Sequence, residues 1–226
     1  MNKNKKFIVF SGGCFSGKTT AMKIAEHTFN NMGINVVMLS EVIREKGLGY
    51  PNIDKLRENA KDYLELQSRI INEKIDAELQ QYKNDERCVV IVDRAITDSL
   101  FYLTFFTDKS KLQKQDLDVF AKVYTSATDW AKFAFTYVYD ILLEFNTLPA
   151  YMYDCSDRFR PKNLMSINNV ECDMIKLLNE SYLSSTSSEC ERITFTEKFE
   201  TINDIANFFE HIGHKIIENW KNGTRI

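Results

Sequence analysis

Apolar residues fall in short runs separated by longer stretches of helical period. Phe7-Ile8-Val9-Phe10, Ile34-Asn35-Val36-Val37-Met38-Leu39, Cys88-Val89-Val90-Ile91-Val92-Asp93 and Tyr139-Asp140-Ile141-Leu142-Leu143-Glu144-Phe145 each predict a strand. Ile193-Thr194-Phe195 predicts a shorter, last one. Met22, Ile24, Ala25 and Phe29 mark a helix after the first run, and Gly33 suits its end. Gly47, Gly49 and Pro51 then break the chain. Residues 54–82 predict one long helix through Leu56, Tyr63, Leu64, Leu66, Ile70, Ile71, Ile75 and Leu79. Residues 97–106 and 117–137 predict two more, the second with Phe120, Val123, Trp130 and Phe133 inward. The polar stretch 107–116 reads as a loop between them. Residues 201–220 predict a closing helix. Unbroken Val/Ile runs suit strands covered on both faces. Alternating strand and helix predicts one α/β domain over residues 1–226, with a parallel sheet of about five strands between two helical layers.

Composition narrows the class. The chain has 226 residues, enough for one full core, and 44% are hydrophobic, as in an ordinary globular protein. A formal net charge of −3 gives no global basic field for coating nucleic acid. Lys3, Lys5 and Lys6 read as a solvated terminus. The cysteines Cys14, Cys88, Cys155, Cys172 and Cys190 are scattered, contain no CxxC pair and are odd in number, so reduced thiols in a cytoplasmic compartment are expected. No apolar run approaches the roughly 18 residues of a membrane span, and the first run is too short for a signal peptide.

The chemistry begins directly after the first strand. Gly12-Gly13-Cys14-Phe15-Ser16-Gly17-Lys18-Thr19 fits the phosphate-binding pattern G-x-x-x-x-G-K-[ST], set between a strand and a helix as that pattern requires. Its glycines let backbone N–H groups turn around phosphate oxygens, and the following helix aims its positive N-terminus at the same anion. Lys18 can reach β- and γ-phosphates, the Thr19 hydroxyl can ligate Mg²⁺, and Thr20 completes the binding stretch.

In a parallel sheet, ligands sit beyond the carboxyl ends of the strands. There the third strand delivers Asp93-Arg94. Asp93 can orient Mg²⁺ through water or take a proton from an attacking hydroxyl, while Arg94 holds the acceptor or the transferring phosphoryl group. The bland alternative is a surface ion pair. Glu41 and Arg44, after the second strand, suit an acceptor hydroxyl and an anionic acceptor, or a helix cap and a solvated base. Asp98 either reaches an acceptor pocket or is a first-turn helix acid. Asp157-Arg158-Phe159-Arg160-Pro161-Lys162 suits a lid over residues 154–170, with Arg158 and Arg160 supplying positive charge, or a solvated basic loop. His27, His211 and His214 lack the ligand set of a metal site.

These segments occur in an order that resembles a known group. The phosphate loop, Ser40-Glu41-Val42-Ile43-Arg44-Glu45, Tyr63-Leu64-Glu65-Leu66-Gln67 and Val90-Ile91-Val92-Asp93-Arg94-Ala95-Ile96-Thr97-Asp98-Ser99 look like the P-loop kinases that include the ribosylnicotinamide kinase domains of NAD metabolism. They are similar, more widely, to nucleoside and nucleotide kinases, in which Asp-Arg after the third strand is shared. The likeness continues through Arg158 and Arg160 and so covers most of the chain. Where that group often has Asp-Gly-x-Arg, this chain has Asp157-Arg158-Phe159-Arg160.

The resemblance implies a P-loop NTPase three-layer sandwich and an ATP- and Mg²⁺-dependent phosphotransferase. Its acceptor would be a small molecule with a nucleoside, nucleotide or nicotinamide riboside-like hydroxyl, and no membrane is involved. Phage kinases acting on a modified base in DNA are also similar, which keeps a nucleic-acid acceptor as an alternative. A P-loop ATPase switch is another. The expected catalytic set is Lys18, Asp93, Arg94, Arg158 and Arg160. Glu41, Arg44, Arg94 and Asp98 are expected at the acceptor, and Thr19 and Asp93 at the metal.

Overall fold

A computed structural model describes residues 4–13, 16–40, 53–146, 165–195 and 201–222. Its elements, in chain order, are β1 (Lys5–Ser11), α1 (Lys18–Asn31), β2 (Val36–Leu39), α2 (Ile53–Glu58), α3 (Ala60–Lys83), β3 (Cys88–Asp93) and α4 (Ile96–Phe106). There follow α5 (Lys114–Phe133), β4 (Tyr139–Phe145), α6 (Met165–Ser185), β5 (Glu191–Phe195) and α7 (Ile202–Asn222). The strands form one five-stranded sheet in the order β2-β3-β1-β4-β5, and every neighbouring pair is parallel.

Side chains alternate across a strand, so each strand feeds two cores. Phe7, Val9, Val90, Val92 and Leu142 face α3, α4 and α5. Ile8, Phe10, Val89, Ile91, Ile141 and Leu143 face α1 and α7. Because both faces are covered, β1, β3 and β4 can be apolar without alternation, which is the pattern seen in their sequences. Phe10 stacks on Phe145 at 5.6 Å and on Phe209 at 5.8 Å, which ties β1, β4 and α7 together. Truncating such a fully buried ring to alanine costs about 3–5 kcal/mol.

Several sequence expectations shift. The single helix over 54–82 is two helices, broken at Asn59. The Asn59 side chain accepts from the N–H groups of Lys61 (3.1 Å) and Asp62 (3.4 Å) and so starts α3. The helix expected from residue 117 begins at Lys114, where Gln113 and Asp116 form a capping box. It gives way at Ala134–Val138 to a π-helical turn that leads into β4. The expected solvated lysines are corrected for two of the three. Lys5 and Lys6 lie in β1 and are buried. Lys5 donates to the Gln81 carbonyl at 2.8 Å, and Lys6 pairs with Asp140 at 3.5 Å. Lys3 lies outside the described residues.

Helix α6 was not anticipated. Among its described side chains, Glu171, Cys172, Ile175 and Asn179 are buried, whereas Val170, Met174 and Leu177 are exposed. Polar residues thus share the inward face with Ile175, and Tyr182 and Leu183 pack on the core further along. Among the described residues, no helix is long and apolar enough to cross a membrane.

Candidate active site

The three central strands end side by side. Phe10 is in register with Asp93 on one side of β1, and Ser11 with Glu144 on the other. The chain leaving β1 therefore emerges between the ends of β3 and β4. Gly12 has φ +143°, and a β-carbon there would lie 2.7 Å from the Phe145 carbonyl oxygen. Only glycine allows the backbone to pass so close to β4. Gly17 has φ +81° and sets the start of α1.

That start is built for an anion. No side chain caps the N-terminus of α1, and its first turn holds no acid. The positive end of its dipole thus favours an incoming negative charge. The Lys18 ammonium lies at the same place. It donates to the carbonyls of Gly12 (2.8 Å) and Gly13 (2.6 Å) and to the Ser16 hydroxyl (3.0 Å). Ser16 in turn donates to the Gly13 carbonyl at 2.9 Å. Thr19 is half-buried and Thr20 exposed, both in the first turn of α1.

Asp93 closes β3 and is half-buried. Arg94 follows with φ 69°, the one non-glycine residue with positive φ among those described. A left-handed conformation costs an ordinary residue about 1–2 kcal/mol, and three kinds of contact hold it here. The Arg94 N–H donates to the Phe10 carbonyl at 2.9 Å. Its Nη1 donates to the Tyr102 hydroxyl (2.9 Å) and to the Gly12 carbonyl (3.3 Å). The guanidinium also lies over the Tyr102 ring, 4.9 Å from its centre.

The bend is supported from below by a buried hub at Glu78. Its Oε2 accepts from Trp130 Nε1 (2.7 Å) and the Tyr139 hydroxyl (3.0 Å), and its Oε1 lies 2.9 Å from Lys74 Nζ. Lys74 then reaches the Asp93 carbonyl at 3.3 Å, and the Tyr139 oxygen accepts from the Ile96 N–H at 3.3 Å. Burial, aided by the Glu78 charge, pushes the Tyr139 hydroxyl well above its ordinary pKa, so it stays protonated and donates.

A second polar cluster lies under the loop. Asp98 is wholly buried on α4, and its two oxygens accept from the Ser11 hydroxyl (2.6 Å) and the Gly12 N–H (3.0 Å). Burial raises its pKa, while Arg94, Ser11 and Lys18 pull the other way. Asn179 of α6 donates to Ser11 Oγ and to Glu144 Oε1, both at 2.9 Å, and accepts from Thr97. Arg192 of β5 completes the Glu144 carboxylate at 2.6 Å. Two turns toward the start of α6, Cys172 Sγ accepts from the Gly13 N–H at 3.3 Å.

The structure therefore gathers Gly12, Gly13, Ser16, Gly17, Lys18, Thr19, Asp93, Arg94 and Asp98 at one sheet edge. Asp98 spends its carboxylate on the loop itself. Cys14, Phe15, Glu41, Arg44, Arg158 and Arg160 lie outside the described residues, as does 154–164 of the expected lid. Residues 165–170 of that stretch begin α6. Sequence reasoning missed Ser11, Lys74, Glu78, Tyr102, Tyr139, Glu144, Glu171, Cys172 and Asn179. Each is marked by polar partners that only the fold brings together, which leaves no local signal in the chain.

A parallel sheet with a strand–phosphate loop–helix unit at its centre, and Asp-Arg beside that loop, is the architecture of the P-loop kinase fold. Over residues 8–224 the chain matches the deoxynucleoside kinase family, and it belongs to that family. No curated protein matches it. Among solved structures it is similar to NadR in complex with NAD and AMP-PNP, at 15% identity and a TM-score of 0.56, over 99% of this chain and 51% of that one. It is similar to NadR in complex with NR at 15% identity and a TM-score of 0.58, over 92% of this chain and 52% of that one. Thymidylate kinase from Ehrlichia chaffeensis is 17% identical, with a TM-score of 0.49, over 92% of this chain and 98% of that one. The chain spans about half the length of the two NadR chains. At this identity the likeness to NadR is one of fold.

Proposed function

We propose that the protein is a cytoplasmic, ATP- and Mg²⁺-dependent kinase that transfers the γ-phosphoryl group of ATP to a hydroxyl of a deoxynucleoside. Family membership supports the acceptor class. One observation supports the chemistry above the rest: an uncapped, acid-free helix N-terminus, with the Lys18 ammonium held beside it and the Arg94 guanidinium bonded to the same Gly12 carbonyl.

Phosphoryl transfer asks mainly for positioning and charge neutralisation. Lys18 exchanges its loop carbonyls for β- and γ-phosphate oxygens, which keeps it hydrogen-bonded throughout. The α1 N-terminus receives the phosphate chain. Arg94 faces the transferring group, and Arg158 and Arg160 add positive charge. The acceptor oxygen bonds to the γ-phosphorus as the bond to the β–γ bridging oxygen breaks, and ADP leaves. Asp93 takes the acceptor's proton. Glu41 and Arg44 hold the acceptor. Thr19 and Asp93 offer hard oxygen donors of the kind Mg²⁺ takes, so the residues fit that ion. Bound there, Mg²⁺ supplies neutralisation of phosphate charge.

The test is transfer of label from [γ-³²P]ATP to a panel of deoxynucleosides, ribonucleosides, nucleotides, nicotinamide riboside and oligonucleotides. A labelled deoxynucleoside is expected. Rapid ATP hydrolysis with no acceptor labelled would sink the proposal.

A further inference from the structure

Arg94 can only donate hydrogen bonds, and an ionised carboxylate can only accept them. Tyr102, on α4, stands between one of each. Its hydroxyl donates to Glu171 Oε1 of α6 and accepts from Arg94 Nη1 at 2.9 Å. The order of donors is therefore fixed. With its proton turned toward Glu171, the hydroxyl presents a lone pair to the guanidinium, and the carboxylate behind it strengthens that acceptor. Glu171 is 1% exposed, so the carboxylate is shielded from competing water. The Tyr102 ring lies beneath the guanidinium as well, which restricts its rotation.

Helix α6 holds this relay in register with the phosphate loop. The residue after Glu171 is Cys172, whose sulfur accepts from the Gly13 N–H. A β-carbon on Gly13 would lie 3.0 Å from both Cys172 Sγ and Glu171 Cδ. Two turns on, Asn179 binds Ser11. One helix thus grips the loop at both ends of its first three residues and also carries the acid that orients Tyr102.

We propose that Tyr102 and Glu171 are positioning residues for phosphoryl transfer: they hold the Arg94 guanidinium against Gly12, at the start of the phosphate loop. The proposal rests on the reading of Arg94 as a phosphoryl contact. A preset guanidinium needs no reorganisation at the moment of reaction, which is where fixed dipoles and charges act most strongly on rate. A relay that only fastened α4 to α6 would alter stability and leave turnover per folded molecule unchanged.

The experiment combines Tyr102→Phe, Glu171→Gln and Arg94→Lys, singly and in pairs, in the full chain with ATP and the acceptor found by label transfer. Tyr102→Phe keeps the ring and removes the hydroxyl. Its kcat is expected to fall about tenfold, with KM for ATP within about twofold, because the lost contact matters mainly in the transition state. Glu171→Gln should fall in the same direction by less. In the Arg94→Lys background, Tyr102→Phe should cause no further loss, since the group it positions is gone. NMR of the Arg94 Nε–H group should show faster guanidinium rotation in Tyr102→Phe without any ligand. Unchanged kcat in folded Tyr102→Phe, or losses that multiply in the Arg94→Lys background, overturns the proposal. If Tyr102→Phe does not fold, the nearly isosteric Glu171→Gln decides by the same criteria. A fall in Arg94→Lys with none in Tyr102→Phe overturns the positioning role alone. Wild-type turnover in Arg94→Lys overturns the role of Arg94 itself.

Discussion

The carboxylate of Asp98 accepts a 2.6 Å hydrogen bond from the Ser11 hydroxyl, and that contact joins the first turn of α4 to the last residue of β1. The second oxygen of Asp98 accepts from the Gly12 N–H, so the beginning of the phosphate loop is fixed by an acid buried beneath it.

That burial has a pH signature. Desolvation raises the Asp98 pKa in the fold, opposed in part by Arg94, Ser11 and Lys18. The native state therefore binds the proton more tightly than the unfolded chain. The stability Asp98 contributes is fully present below the ordinary aspartate value of about 4 and is lost as pH rises from there through the raised folded value. Urea unfolding of wild type and Asp98→Asn at a series of pH values isolates the effect. The free-energy difference between them should move in favour of the variant as pH rises through this window. Parallel curves would exclude the assignment.

Lys18→Met keeps most of the apolar stem and removes the ammonium. The loop carbonyls of Gly12 and Gly13 then lose a donor, so a small loss of stability is expected. Turnover should fall by about a hundredfold or more, the scale of losing one preorganised charge at a transition state. A folded variant with wild-type kcat would end the phosphate-loop reading.

Asp93→Asn changes volume little and keeps the main-chain carbonyl that Lys74 binds. ATP affinity, measured by calorimetry, should stay within a few-fold. Turnover should drop by roughly a hundredfold, as for loss of a positioned acid–base group. A structural ion pair would give the reverse pattern: a lower melting temperature with activity per folded molecule intact.

Arg94 sits at φ 69°, which glycine adopts without strain and alanine does not. Arg94→Gly and Arg94→Ala both remove the guanidinium and should be equally inactive. Arg94→Gly should nevertheless be the more stable of the two by about 1 kcal/mol, read from chemical denaturation. Equal stabilities, or a more stable alanine variant, would mean that the left-handed bend is not held in solution.

The Val/Ile run of β3 and the Ile141-Leu142-Leu143 run of β4 were legible in the sequence because a strand covered on both faces needs no polar alternation. The phosphate loop was legible because its spacing is tied to backbone geometry that few sequences satisfy. Lys5 and Lys6 misled because charge normally marks a solvated end. In the fold, Gln81 and Asp140 lie close enough to satisfy both ammonium groups at the start of the central strand, and nothing local in the chain announces partners so far away.

Helix α6 shows the limit most clearly. Period analysis finds a helix when its buried face is apolar. Among the described side chains of α6, the buried Glu171 and Asn179 interrupt the apolar face with polar groups, because that part of the helix packs on the backbone and hydroxyl groups of the phosphate loop. The sequence by itself determined the strand order along the chain, the loop that meets phosphate and the Asp93-Arg94 pair beside it, since each depends on residues close in sequence. Only the tertiary structure decided that Asp98 and Asn179 bind the loop from below and that Tyr102 and Glu171 lie behind Arg94. The bonds Ser11–Asp98, Tyr102–Glu171 and Asn179–Ser11 join residues from 69 to 168 positions apart. A hydrogen bond between such residues leaves no periodic trace in either segment, because its geometry exists only once the sheet has brought both to one edge.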